Sequence, residues 1–197
     1  MFPTNHDPVV PSQFISHVRF SFFSFRPIGT FPFCRRDHHH ITTSHHVHVL
    51  QTRLFWYQMH VALEREETQK KGIVVVAAIK VMHIGQFDRR QQVLAFSALN
   101  KALPVRIMAW HMCHPPSFFN VVWPVLAYCM GTNIRQRVGV RKGSEDHVLS
   151  ELKKYGIPAS ILPKRSLGGD CAMDVEKFIA ERREKEAEIM ASFDKKE

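Results

Sequence analysis

The sequence predicts an α/β domain with a mostly parallel β-sheet and flanking helices. Two largely apolar segments, residues 73–79 and 105–113, and a more polar one, 134–141, have the composition of strands, and helical patterns lie before, between and after them. Strands that alternate with helices in this way form parallel sheets with right-handed crossovers. The chain of 197 residues is long enough for one such domain with tails.

The first helix and the first strand are predicted from composition and from the order of charges. Residues 54–71 place acids before lysines, which suits the helix dipole, and Gly72 follows as a helix stop. Residues 73–79 are apolar on both faces and rich in β-branched side chains, as in a strand at the centre of a sheet. The sheet is therefore expected to be built around this strand.

The second helix, residues 88–103, is predicted from a capping pattern and an apolar stripe. Asp88 can cap it and Gln91 completes a capping box. Pro104 ends it. The expected buried stripe consists of Val93, Phe96, Leu99 and Leu103.

The helix predicted over residues 117–130 is apolar almost all round and carries no charge. An ordinary surface helix on a sheet has one apolar stripe and one polar face. Two interpretations follow: a core helix, or a lid that covers an apolar cavity and exposes its other side to a ligand or membrane. Pro124 removes one backbone hydrogen bond from its middle. The candidate lid residues are Phe118, Phe119, Val122, Trp123 and Leu126.

Two further predictions complete the domain. The third strand, 134–141, is more polar than the others and is expected near a sheet edge, and residues 145–155 form the next helix. The tail, residues 174–193, is predicted to be a highly charged helix with one short apolar contact, solvated beyond Arg182.

The N-terminal residues 1–46 are predicted to be disordered. The first 60 residues hold nine of the 13 histidines and nine of the 15 phenylalanines but only two acids, and no helical or strand period persists. A transit peptide is an alternative, since the segment is poor in acids, but the amphipathic period is missing. No functional metal site is expected from its histidines, because a flexible tract does not fix ligand geometry.

Composition limits the classes of function. The net charge of +9 favours anionic partners, but no nucleic-acid-binding motif accompanies it. The longest strictly apolar run, 73–79, is far shorter than the roughly 20 residues of a membrane-spanning helix. Cys113 and His114 are adjacent in a predicted strand and point to opposite faces, which does not suit a catalytic pair. We therefore expect no catalytic residues, no metal, no cofactor and no nucleic acid.

Several sequence runs resemble the C-terminal half of a CRAL-TRIO lipid-binding domain. They are LPVRIMAWHMCHPPSFFNVVWPVLAYCMG, NIRQRVGV, VLSELKKYGIP and ILPKRSLGGD. The resemblance covers about residues 54–170 and is most specific at the junction 111–119 and at the closing pattern 162–169. It implies one hydrophobic or amphiphilic lipid ligand, bound between the sheet and a mobile lid helix, here 117–130.

The resemblance also sets domain boundaries. The family has a helical N-terminal subdomain and one or two strands ahead of the strand at 73–79, and residues 1–53 resemble neither; at most Val47–Leu50 provides a short strand. The chain is therefore expected to be a truncated member, with a low-order segment at 1–53, the lipid-binding domain at 54–170 and a charged helix at 171–197.

Tocopherol-transfer-like members hold phosphoinositide headgroups with basic residues beside the lid. Arg106 and Arg137 match two of these basic positions, and Arg135 adds a third charge, whereas Met108 and Asn133 replace further basic residues. The resemblance thus implies a depleted phosphoinositide site and attraction to anionic membrane surfaces.

The functional expectation is a non-enzymatic protein that binds and transfers a lipid, cytoplasmic and transiently membrane-associated. The alternative is a degenerate module of the same fold that docks a protein or a membrane without ligand transfer. The lid and the closing pattern favour the first, and the missing N-terminal elements favour the second.

Overall fold

The computed structural model describes residues 20–24, 45–80, 82, 84–172 and 175–194. Its four strands form one parallel sheet in the order β1-β2-β3-β4, so the predicted fold class is confirmed. The strands are β1 Phe20–Ser24, β2 Ile73–Ala78, β3 Ile107–Cys113 and β4 Val138–Arg141. The α-helices are α1 His45–Leu63, α2 Glu66–Lys71, α3 Arg89–Lys101, α4 Phe119–Arg135, α5 Glu145–Lys154, α6 Lys164–Leu167 and α7 Val175–Asp194.

Helices cover the two faces of the sheet unequally. Alternate residues of a strand point to opposite faces, so Trp110 and Met112 of β3 join one core cluster and Ala109 and Cys113 join the other. The first cluster is covered by α1, α3 and α4, and the second by α5 and the residues that follow it. We call the first face the α4 face.

The N-terminal part differs from the sequence prediction where the structure describes it. Phe20–Ser24 form an edge strand that pairs with β2, with Phe20 opposite Val74, although the sequence indicated no strand of this kind. The five residues, FSFFS, suit a strand by aromatic content but do not alternate regularly, which hid them. Residues 45 and 46 of the predicted disordered segment begin α1. Its remaining residues lie outside the described ranges, as does the histidine tract 38–40.

The first predicted helix is longer than expected and is divided. Residues 47–50, expected at most to form a strand, lie within α1. Arg65 has an extended backbone, which separates α1 from α2. Gly72 ends α2 with φ 92°, and a Cβ there would lie 2.5 Å from the Arg106 carbonyl oxygen, so glycine is required for β2 to approach β3.

The helices α3 and α5 begin as the sequence predicts. Asp88 accepts hydrogen bonds from the backbone N–H groups of Arg90, at 2.7 Å, and Gln91, at 3.4 Å. The predicted stripe of α3 is buried from Phe96 onward, whereas Val93 is 42% exposed. β4 is shorter than predicted, because residues 134 and 135 belong to the end of α4, and it lies at the sheet edge as expected.

Candidate functional site

Helix α4 lies on the sheet through a single apolar stripe. The chain leaves the carboxyl end of β3 and begins α4 at Phe119. Buried side chains then recur every three or four residues, which is the spacing of one helix face. They are Phe119, Val122, Leu126, Ala127, Met130 and Ile134.

Three of the five predicted lid residues, Phe119, Trp123 and Leu126, belong to or pack against the core cluster of the α4 face. Phe119, Val122 and Leu126 are buried, while Phe118 and Trp123 are half-buried. The Phe119 and Trp123 rings lie 5.6 Å apart. The stripe packs directly against the apolar side chains of the sheet.

The opposite side of α4 is also apolar but is exposed. Val121 and Tyr128 are each 73% exposed. They are seven residues apart, which places them on one line two turns apart. Only one of the two apolar sides is thus buried by the domain.

The predicted end of the lid helix is confirmed as a break in the helix geometry. Gly131 has φ 72° and ψ 171°, so residues 119–130 form one helical segment and residues 132–135 a separate final turn. Asn100 of α3 donates through Nδ2 to the Met130 carbonyl oxygen at 3.1 Å. This bond satisfies a backbone acceptor at the break and ties the end of the segment to α3.

An open cleft of about 440 Å³ lies at the carboxyl edge of the sheet, next to the start of α4. Ligands of open parallel sheets bind outside the carboxyl ends of strands. We call it the carboxyl-edge cleft. It is lined by Lys80, His114, Pro115, Ser117, Lys142, Gly143, Ser144 and Glu145.

The carboxyl-edge cleft carries two lysines and one carboxylate, Glu145, so its lining has a net positive charge. Lys80 forms an ion pair with Glu145 at 3.3 Å, and Lys142 donates to the Asn120 side chain at 3.3 Å. Ser144 caps α5, whose positive dipole end adds to the two lysines. The cleft has the chemistry to accept an anionic headgroup or a small anion.

The predicted phosphoinositide residues lie at the opposite end of the strands, where the strands begin, which we call the amino edge of the sheet. Arg106 directly precedes β3, Arg137 directly precedes β4, and Arg135 is in the last turn of α4. In a parallel sheet these positions share the amino edge. Arg106 and Arg135 are exposed, whereas Arg137 is half-buried and donates to the Ile107 carbonyl oxygen at 2.5 Å.

A family model described as the CRAL/TRIO domain matches residues 26–169, which is most of the chain. The chain belongs to the CRAL/TRIO domain family. The match begins upstream of residue 54, where the sequence resemblance was expected to start. Comparison with curated proteins gives no significant match. At the level of the family, the function is binding of a lipid or small hydrophobic ligand.

This CRAL/TRIO domain also has a buried polar cluster, under α5, that the sequence did not indicate. His111 and Arg141 are 2% and 6% exposed. The Tyr155 ring lies 5.0 Å from the His111 ring. The Arg141 guanidinium is 4.5 Å from the centroid of the Tyr155 ring. A Cβ at Gly139 would lie 2.7 Å from this guanidinium. The cluster fixes α5 to the sheet through a cation–π contact.

Three further observations on the described residues concern a thiol, metal-ligating side chains and helix hydropathy. Burial raises the pKa of the Cys113 thiol to about 12, so it is protonated at neutral pH. The described residues contain no cluster of three potential metal-ligating side chains. Within the same ranges, no helix combines the length and apolar character needed to cross a bilayer.

Sequence reasoning missed the carboxyl-edge cleft, although a signal for it was present. Lys80 and Lys142 follow β2 and β4 at their carboxyl ends, and His114 follows β3. Because the predicted sheet is parallel, polar residues directly after its strands are expected to converge. The rule that groups Arg106 and Arg137 at the amino edge also groups these three at the carboxyl edge.

Proposed function

We propose that this CRAL/TRIO domain binds an amphiphilic lipid between α4 and the sheet and transfers it between membranes. The observation that carries the proposal is the character of α4 within a chain of this family. The helix has no charged side chain before Arg135, and its buried stripe covers a wholly apolar part of the sheet. A lipid chain that enters there exchanges apolar contacts for apolar contacts, so the cost of displacing α4 is small as long as its stripe stays covered by lipid.

The exposed side of α4 gives the membrane a role in opening the site. Val121 and Tyr128 can enter a bilayer interface, where an apolar body with a polar tip is favoured. If α4 lifts at the membrane, its buried stripe meets lipid chains instead of water. Opening is thus favoured at the membrane and disfavoured in solution, as transfer requires.

The polar end of the lipid has a matching site. The carboxyl-edge cleft is adjacent to Ser117, two residues before α4 begins, and carries Lys80 and Lys142. We assign the anionic part of the bound lipid to this cleft. Attraction to anionic membranes, including phosphoinositides, is assigned to Arg106, Arg135 and Arg137 at the amino edge, with about 1 kcal/mol for each basic residue near the surface.

Brominated phosphatidylcholine tests the proposed position of the ligand. Bromine quenches tryptophan on contact, and Trp123 packs against the core cluster beneath α4. Protein incubated with brominated vesicles and then separated from them should show quenched fluorescence, and Trp123→Phe should show a smaller fractional quench. Unquenched fluorescence of the vesicle-free protein would show that no lipid was retained.

The basic residues of the amino edge have their own test. The double variant Arg106→Gln/Arg135→Gln should sediment less with phosphatidylserine vesicles at low salt, and its binding should depend less on salt. Arg137 is left intact because its guanidinium satisfies a backbone carbonyl. Arg183→Gln, an exposed arginine of α7, is the control. Equal sedimentation of all three proteins would remove this role.

The second candidate function is docking to a membrane or protein without ligand transfer. It is favoured by the direct packing of Phe119 and Met130, which are 1% and 0% exposed, against the core. In that case Val121 and Tyr128 are the docking residues. The double variant Val121→Ser/Tyr128→Ser would then lose vesicle binding, and the protein would never carry lipid away from vesicles.

A further inference from the structure

Helix α7 is attached to α1 by a group of ionic hydrogen bonds. Glu64, directly after α1, accepts from Arg182 Nη1 at 2.9 Å and from Arg182 Nη2 at 2.7 Å. Lys185 donates to the same carboxylate at 2.7 Å. Beyond Arg182 the side chains of α7 are exposed as far as residue 193, as expected, and Lys185 reaches Glu64 while remaining 50% exposed.

Tyr57 of α1 extends this group of bonds. Its hydroxyl accepts from Arg182 Nε at 2.9 Å and donates to Glu186 Oε1 at 2.5 Å. Arg182 thus bonds through three nitrogens, and its side chain is only 13% exposed. We call the residues Tyr57, Glu64, Arg182, Lys185 and Glu186 the clasp.

The clasp is charged over the whole physiological pH range. The hydrogen bond from Arg182 is the main cause that lowers the pKa of Glu64 to about 2. The same bond raises the pKa of Arg182 above its usual value. Both partners stay ionised near neutrality, so the clasp responds to competing charges and salt and not to small changes of pH.

Apolar contact between α1 and α7 is slight by comparison. A shallow groove of about 240 Å³ lies between the two helices, with Leu54, Phe178 and Ile179 among its lining residues. These three side chains are 51%, 38% and 38% exposed. Because so little apolar area is removed from water, the clasp is the principal attachment of α7.

Helix α1 is also one wall of the α4 face. Met59 and Ala62 are buried in the same core cluster as the stripe of α4. The Phe55 ring lies 6.4 Å from the ring of Trp110, at the centre of the sheet. A contact that restrains α1 therefore also restrains one side of the apolar core beneath α4, which the proposed lipid would enter.

We infer that α7 is a latch: the clasp ties α1, through α7, to the segment before α7, which is anchored on the opposite face of the sheet by buried Leu162 and Leu167, and release of the clasp frees the α1 wall for lipid exchange. The inference rests on the proposed lipid binding, whose site it would regulate. An attachment made mainly of ionic hydrogen bonds suits this role, because such bonds fix the orientation of the two helices and a competing charge can break them.

Paired variants of the full chain test the latch. Glu64→Gln removes the carboxylate shared by Arg182 and Lys185, and Glu184→Gln, an exposed acid of α7, is its matched control. Tyr57→Phe removes the hydroxyl bonds but keeps the ring, so it provides a milder variant if Glu64→Gln folds poorly. Two quantities are measured: amide exchange of residues 52–63, and the rate at which brominated phosphatidylcholine is taken up.

We expect Glu64→Gln to speed α1 amide exchange and lipid uptake by about five- to tenfold, with Tyr57→Phe intermediate and Glu184→Gln unchanged. Amides of β2 and β3 should keep their protection. Faster α1 exchange with unchanged uptake would overturn the latch and leave lipid binding intact, as would unchanged α1 exchange. Absence of uptake by the wild-type protein would instead defeat the proposed function, and the latch with it.

Discussion

Helices α4 and α7 are similar in length, 17 and 20 residues, but different forces attach them to the domain. α4 is held by a stripe of buried apolar side chains and has no charge before Arg135. On α7, residues 176–193 have exposed side chains throughout, except for Arg182. Apolar burial is the main attachment of α4, so most of its contacts can be exchanged for those of another apolar medium, whereas α7 depends on a few bonds of fixed geometry.

A pair of methionine substitutions should show this difference most strongly. Met130 of α4 is 0% exposed and Met190 of α7 is 63% exposed. Met130→Ala should lower the free energy of unfolding by about 2–5 kcal/mol, because it leaves a cavity in the core. Met190→Ala should change it by less than about 0.5 kcal/mol. Urea unfolding followed by circular dichroism measures both, and similar losses would contradict the comparison.

Neighbouring arginines of α7 should separate the clasp from general surface charge. Arg182→Gln removes the bonds to Glu64 and Tyr57 and should destabilise the attachment of α7 by about 1–3 kcal/mol. Arg183→Gln should have little effect, since the side chain is exposed. Limited proteolysis with an enzyme that cleaves after acidic residues should release α7 faster from Arg182→Gln alone. Equal cleavage of the two variants would mean that the clasp does not attach α7.

Acid should weaken the attachment of α7 by a smaller, pH-dependent amount. The pKa of Glu64 is about 2 in the folded protein and about 4.3 in an unfolded chain. A lowered folded-state pKa gives stability that is present above pH 4.3 and is lost as the pH falls toward 2. The difference in thermal stability between wild type and Glu64→Gln should therefore shrink over this window. A difference that stays constant between pH 6 and pH 2 would exclude the ionised carboxylate as its source.

The sequence predicted those elements whose signal is local. β2 is an uninterrupted apolar run, β3 is apolar apart from His111, and Asp88 caps α3 through bonds to residues two and three positions ahead. The clasp could not be predicted in this way, because Glu64 and Arg182 are 118 positions apart and no periodicity encodes such pairing. β1 was not predicted for a related reason, because its pairing with β2 depends on a partner about 50 residues away.

For the candidate site, the sequence predicted a helix and not its orientation. Phe119, Val122 and Leu126 were candidate lid residues, and the structure buries all three. Their spacing defines one stripe, so the same rule places Val121 and Tyr128 on the other side, where the structure exposes them. Sequence periodicity therefore gives the faces of α4, whereas the depth of packing beneath it depends on the shapes of Trp110 and Met112 in the sheet.

Native mass spectrometry of the purified full chain tests the central claim most directly, namely that lipid binds beneath α4. After incubation with vesicles of mixed natural phospholipids and removal of the vesicles, the account predicts a species heavier than the bare chain by the mass of one lipid molecule. Val121→Ser, on the exposed side of α4, should retain the same species once loaded. The mass of the bare chain alone, from protein that circular dichroism shows to be folded, would contradict the account.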